Sequence, residues 1–141
     1  MLSIHEKAQD EMITDAVAAF PDECCGFLFG REVGNERIVT MIQAVNNAQE
    51  GDKRKRFEIS SKDYLLAERF SGENNLSLLG VYHSHPDHPA IPSETDRMAA
   101  LPNFSYIILS IFNREFAGLR SWRLNDEQQF EEENRSKPVL P

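Results

Sequence analysis

The residues able to do chemistry gather in one stretch, 79–98, "LGVYHSHPDHPAIPSETDRM". Three of the four histidines, His83, His85 and His88, fall within six positions there, and Asp96 follows a loop carrying Pro86, Pro89 and Pro92. The apolar run ahead of His83 reads as a strand, and positions i and i+2 of a strand face the same side. His83 and His85 therefore aim both imidazoles at one point, with Ser84 turned away. Two imidazoles on a rigid element are half of a zinc site already in place, and Asp96 is the best candidate for a third ligand that leaves one corner open. The ten residues between His85 and Asp96 let the chain fold back, and their prolines restrict it.

The same residues have plainer readings. An isolated His-x-His is a weak metal signal. Asp96 stands third after Ser93 in "SETD", where an acid supports a helix start by capping and through the helix dipole. His88, in a polar loop rich in proline, reads as solvated, and Ser93 as a helix cap. On residue types and spacing alone, metal binding and a simple helix start stand level.

Several elements must position this stretch. Residues 4–20 place Ile4, Ala8, Met12, Ala16 and Ala19 at helical spacing, and Pro21 ends the run. "CGFLFG" (25–30) predicts a buried strand, "GN" (34–35) a turn, and "ERIVTMIQAV" (36–45) the second strand of a hairpin. A polar loop over 46–56 leads to a short strand, "FEIS" (57–60), then to a helix capped by Ser60 or Ser61 and closed by Gly72. "LSLLGVYH" (76–83) and "FSYIILSIF" (104–112) predict central strands, apolar on both faces. A short helix opens at Ser93, and "FAGLRSWRL" (116–124) predicts the last strand. The expected class is α/β in the broad α+β sense: a mixed, largely antiparallel sheet flanked by helices. One domain over 1–124 is expected, with a polar tail, 125–141, too poor in apolar residues to pack and expected to fray.

The bulk composition narrows the function classes. With 141 residues and 40% hydrophobic content, one core is the natural outcome. A net charge of -8 argues against nonspecific nucleic-acid binding and against anionic membrane surfaces. No apolar run reaches the roughly 20 residues of a membrane span. The start, "MLSIHEKAQDEM", lacks the pattern of a secretory signal, so a cytoplasmic protein is expected. Cys24 and Cys25 are the only cysteines; adjacent residues pair poorly as a disulfide, and with no CxxC there is no zinc ribbon. No basic residue near them in sequence argues for an activated thiol, and Cys25 reads as core. "KRKR" (53–56) reads first as a solvated loop and second as a contact for an acidic partner. Trp122 reads as core.

"HSHPDHPAIPSETD" resembles the signature of the JAMM (MPN+) metalloprotease family, HxHP followed by Ser-x-x-Asp, at every signature position. Upstream, "PDECCGFLFG" is similar to the family segment that carries an essential glutamate, here Glu23. The hairpin, "RFEIS" and "RSWRL" extend the resemblance over about residues 1–124. It implies the MPN/JAMM (cytidine-deaminase-like) fold, one Zn2+ held by His83, His85 and Asp96, Glu23 as general base and Ser93 steadying an oxyanion. Glu23 alone would read as a solvated acid. The implied reaction is hydrolysis of a peptide or isopeptide bond without a covalent intermediate. The short loops resemble the compact prokaryotic stand-alone type, which implies a ubiquitin-like sulfur-carrier protein as substrate, cut at its C-terminal Gly-Gly. A diglycine tail suits a narrow groove, since glycine permits close backbone approach. The rival expectation is a non-catalytic binding module for a ubiquitin-like partner with a structural metal. A zinc nucleobase deaminase is disfavoured because its HxE and PCxxC elements are missing.

Overall fold

The longest apolar stretches become the middle of a single sheet. In the computed structural model, which describes residues 1–136, the elements run β1 (Leu2–Ile4), α1 (Glu6–Ala19), β2 (Cys25–Val33), β3 (Glu36–Val45), α2 (Ser61–Glu73), β4 (Ser77–Pro86), α3 (Glu94–Ala99), β5 (Ser105–Phe112), β6 (Glu115–Leu124) and β7 (Phe130–Glu133). The sheet order is β1-β3-β2-β4-β5-β6-β7. β1–β3 and β4–β5 are parallel and the other four pairs antiparallel, so the sheet is mixed and largely antiparallel, as expected.

Alternation along the central strands sends side chains to two cores. Leu28, Tyr82, Ile107 and Leu109 meet Ala8, Met12 and Ala16 of α1 on one face. Phe27, Phe29, Val81 and Tyr106 meet Ala67 of α2, with Tyr64 and Phe70 packed alongside, on the other. β4 and β5 approach closely at Gly80, where a Cβ would sit 1.8 Å from the Ser105 carbonyl oxygen. Only glycine fits there.

The structure departs from the sequence reading in three places. Leu2–Ile4 is a short parallel strand on β3, so α1 starts at Glu6 rather than Ile4. Three residues are too few to show a period. The "FEIS" segment forms no ladder; it keeps one backbone bond, Ala48 N–H to the Glu58 carbonyl at 2.8 Å, and the Asn47 side chain supplies the rest, accepting from Glu58 N–H at 3.1 Å and donating to the Arg56 carbonyl at 3.0 Å. The third departure concerns residues 125–136, expected to fray. Phe130–Glu133 pairs with β6, the Arg120 guanidinium donates to Glu132 at 2.7 and 2.8 Å, and Ser121 donates to Glu133. Cross-strand charge pairs and one aromatic, Phe130 against Tyr106, replace the missing apolar content. Beyond β7, Leu2 N–H donates to Asn134 O and Ser136 N–H to Leu2 O, so this segment reaches back to β1. Residues 137–141 of the expected tail lie outside the described residues. Among the described residues no helix is long and apolar enough to cross a membrane.

Candidate active site

β2 and β4 pair with Cys25 opposite His83, which lays the residues just ahead of β2 over the end of β4. Glu23 is buried there, with 5% of its surface exposed. His83 and His85 both project to the α2 side, their Nε2 atoms 3.2 Å apart. Asp96 Oδ2 lies 3.3 Å from His83 Nε2 and 3.1 Å from His85 Nε2. Donor atoms of Glu23, His83 and His85 all lie within 4.8 Å of one another. Ser93 joins through a capping box: Asp96 N–H donates to Ser93 Oγ at 3.1 Å, and Ser93 N–H donates to Asp96 Oδ2 at 2.9 Å. One carboxylate thus caps α3 and faces both imidazoles, and the two sequence readings of Asp96 coexist.

Neighbours fix each group. Ser84, on the opposite face of β4, accepts the Cys24 N–H on its Oγ at 2.8 Å and donates its own N–H to the Cys24 carbonyl at 3.2 Å. Asn47 donates to the Glu23 carbonyl at 3.1 Å, and Glu23 N–H donates to the Lys53 carbonyl at 2.7 Å. The backbone on both sides of the Glu23 side chain is therefore tied down. His85 Nδ1 lies 2.9 Å from the Pro89 carbonyl, which can only accept, so Nδ1 carries the hydrogen and Nε2 presents its lone pair. Trp122 is half-buried and donates to the Ala90 carbonyl at 3.0 Å, pinning the loop that returns to Asp96. His83 stacks on Phe57 with ring centroids 4.3 Å apart, while its Nδ1, like Glu23 Oε1, is buried without a hydrogen-bond partner.

The electrostatics follow from burial and crowding. Burial pushes the Glu23 carboxyl up to about 8, with His85 opposing and Asp96 adding to the rise. Burial likewise lowers His83, against the pull of Asp96. For His85 burial acts downward too, but the hydrogen bonds to Asp96 and the Pro89 carbonyl prevail and raise it. Burial acts to raise Asp96, yet the two histidines and the Ser93 N–H outweigh it and hold the carboxyl well below the usual range. Both thiols are pushed up by burial, Cys25 to about 12, so neither is a ready nucleophile.

Two imidazole nitrogens and a carboxylate oxygen form a triangle with edges of 3.1–3.3 Å. Three acceptors that close repel one another unless a proton or cation sits among them. A tetrahedral ion with bonds of ~2.0 Å has donor–donor edges of roughly 3.3 Å, so the residues fit a zinc-sized ion. Residues 5–125 match the family described as prokaryotic homologs of the JAB domain. The chain belongs to this family. It is 31% identical to the CysO-cysteine peptidase of Mycobacterium tuberculosis over 133 residues, covering 94% of this chain and 88% of that one. It is 28% identical to the desampylase of Pyrococcus furiosus over 120 residues, 85% of this chain and 79% of that one. The solution structure of a Desulfitobacterium hafniense protein superposes with a TM-score of 0.86 at 31% identity, over 99% of this chain and 95% of that one.

In this JAB domain an open groove of about 380 Å³ runs past the triangle, lined by Glu23, Lys55, His85, His88, Pro89 and Ser93. The "KRKR" loop is exposed as expected, but its Lys55 reaches this groove. His88 is exposed as well. Sequence reasoning missed Asn47, Ser84 and Phe57. "NN" at 46–47 was a turn signal that could have drawn attention to Asn47, whereas nothing local marks Ser84 or Phe57.

Proposed function

We propose that this JAB domain is a zinc-dependent peptidase or isopeptidase that hydrolyses the bond following the C-terminal Gly-Gly of a ubiquitin-like sulfur-carrier protein. The observation that carries this reading is the 3.1–3.3 Å triangle of His83, His85 and Asp96 beside a buried Glu23. His83, His85 and Asp96 are the ligands and Glu23 is not, because Asp96 lies within 3.3 Å of both imidazoles. A bound zinc ion supplies Lewis acidity toward water and toward the scissile carbonyl. Glu23 takes the proton of the attacking water and delivers it to the leaving amine. Burial raises this carboxyl in the zinc-free protein and a bound cation would draw it back down, which brings it toward the range of a group that both takes and gives a proton. Ser93 Oγ accepts from Asp96 N–H, which leaves its hydroxyl hydrogen free to donate to the oxyanion.

The names of the relatives, desampylase and CysO-cysteine peptidase, support a peptidase of this kind; the CysO name is the support for a carrier of that class. Two free, buried cysteines suit the cytoplasm. The test is incubation of purified protein with sulfur-carrier proteins extended beyond Gly-Gly, read by product mass with and without chelator. Cleavage should stop with chelator and in Glu23→Gln, which keeps its zinc, whereas His85→Ala should lose both. Carrier binding without cleavage, unchanged in Glu23→Gln, would favour a binding module with a structural metal instead.

A further inference from the structure

We propose that a partly enclosed apolar cavity on the far side of the triangle receives the residue released by cleavage, and that it selects an apolar side chain joined through its α-amine. This rests on the hydrolase reading above. The cavity, about 220 Å³, touches the triangle through His83 and Asp96 and is walled by Phe57, Tyr64, Tyr106, Ile108 and Phe130. The open groove touches the triangle through His85 and carries Glu23 and Ser93. A chain crossing the triangle therefore meets, on one side, an open groove that carries Glu23, Lys55 and Ser93 beside Pro89 and Ile91, and on the other an aromatic chamber. Glycines ahead of the bond have no side chain to place in the chamber, so its occupant comes from the leaving residue.

Size and chemistry narrow that residue. At ~30 Å³ per water the chamber equals roughly seven waters, room for one leucine or phenylalanine side chain and too little for the backbone of a second protein. A protein lysine linked through its ε-amine would have to thread its stem through the chamber and carry its own backbone out past the rim at Glu58 and Ala99, leaving the apolar walls poorly filled. Phe57, Tyr64 and Phe130 are only half-buried although they pack on the α2-side core, so apolar surface stands open for an occupant to cover. The Tyr106 oxygen is already engaged by Leu101 N–H at 2.6 Å. Glu58 on the exposed rim opposes an acidic occupant. Phe130 belongs to β7, so the expected tail builds part of this wall.

The experiment uses acetyl-Gly-Gly-Xaa peptides with Xaa Leu, Phe, Ala, Asp or Lys, and an ε-linked acetyl-Gly-Gly-lysine. Binding to zinc-loaded Glu23→Gln protein is followed by NMR at the rings of Tyr64, Tyr106 and Phe130, and cleavage by wild type is followed in parallel. Leu and Phe should move these signals and bind about ten-fold or more tighter than Asp and the ε-linked peptide. Ala99→Trp, at the exposed rim, should abolish the shifts while keeping zinc content and melting midpoint. Equal binding of all peptides, or motionless ring signals, overturns the pocket. Ring shifts with the expected order but no cleavage of any peptide or extended carrier uphold the pocket and overturn the hydrolase reading.

Discussion

Zinc-free protein should respond to pH through Glu23, and Glu23→Gln should remove that response. The carboxyl, ordinarily near 4.5, is pushed up to about 8. The unfolded chain releases this proton near 4.5 and the native protein near 8, so between those values the native state binds more protons. Stability therefore falls as pH rises through that window, and the contribution is complete below 4.5. From pH 5 to pH 8 the loss comes to about 3–4 kcal/mol. Solvent screening reduces it little, because only 5% of Glu23 is exposed. Glutamine keeps the shape and has no proton to lose. At about 3 °C per kcal/mol for a chain of this length, the variant should melt about 13 °C above wild type at pH 8 and only about 2–3 °C above it at pH 5. His83 titrates in both proteins and largely cancels in the difference, whereas His85, which Glu23 helps to raise, trims the gap. The assay is thermal unfolding by circular dichroism at four pH values in chelator. Saturating zinc should shrink the gap at pH 8, since a divalent cation favours the carboxylate. A gap that stays constant from pH 5 to pH 8 in chelator would refute the desolvated Glu23, and with it the support for a general base tuned by burial.

Three further outcomes test how the site is held. Ser84→Ala strips the buried Cys24 N–H of its acceptor, so it should cost about 1–3 kcal/mol in denaturant melts and lower kcat roughly 10–100-fold with KM little changed; unchanged kcat would show that Glu23 is placed some other way. Gly80→Ala drives a methyl into the Ser105 carbonyl and should destabilise by about 3 kcal/mol or more, read as lost soluble yield or a lowered midpoint, and a wild-type midpoint would mean that β4 and β5 separate freely. On β6 and β7, Phe130→Ala should cost about 1–2 kcal/mol, whereas Arg120→Ala, breaking an ion pair about 40% exposed on each side, should cost under about 1 kcal/mol; the reverse order in melts would show that charge rather than Phe130 holds the last strand.

The parts of this fold legible in sequence are those governed by a local period. The runs at 25–30, 76–83 and 104–112 are long enough to show burial on both faces, and each lies in a central strand. β1 is illegible because it lacks length, and "FEIS" misleads because only one backbone bond, from Ala48, reaches it and the Asn47 side chain supplies the others, a reach no pattern encodes. β7 was misread for a third reason: its hydrophobicity is one phenylalanine, and the rest of its pairing depends on arginines in a neighbouring strand. The shared face of His83 and His85 follows from period two, whereas spacing alone leaves Asp96 between ligand and helix cap, and Glu23 is reached only through the family resemblance; the register of Cys25 against His83 gives the physical reason for its place.

That register also explains why the residue between the two histidines matters. Alternation on β4 puts His83 and His85 on the face with Phe57 and Asp96, and Ser84 on the face with Cys24. Alternation at the start of β2 does the same, with Cys24 in the α1-side core and Cys25 in the α2-side core. The hydrogen bonds between Ser84 and Cys24 therefore clamp the two strand ends together on the face away from the imidazoles, one residue from Glu23. Positional precision on the α2 side draws on packing and hydrogen bonds on the α1 side, away from the triangle, as well as on the Asn47 and Lys53 contacts to Glu23. A substitution can thus disturb the spacing of Glu23 from the imidazoles without touching either, which is why Ser84→Ala, rather than any change in the open groove, separates placement from chemistry.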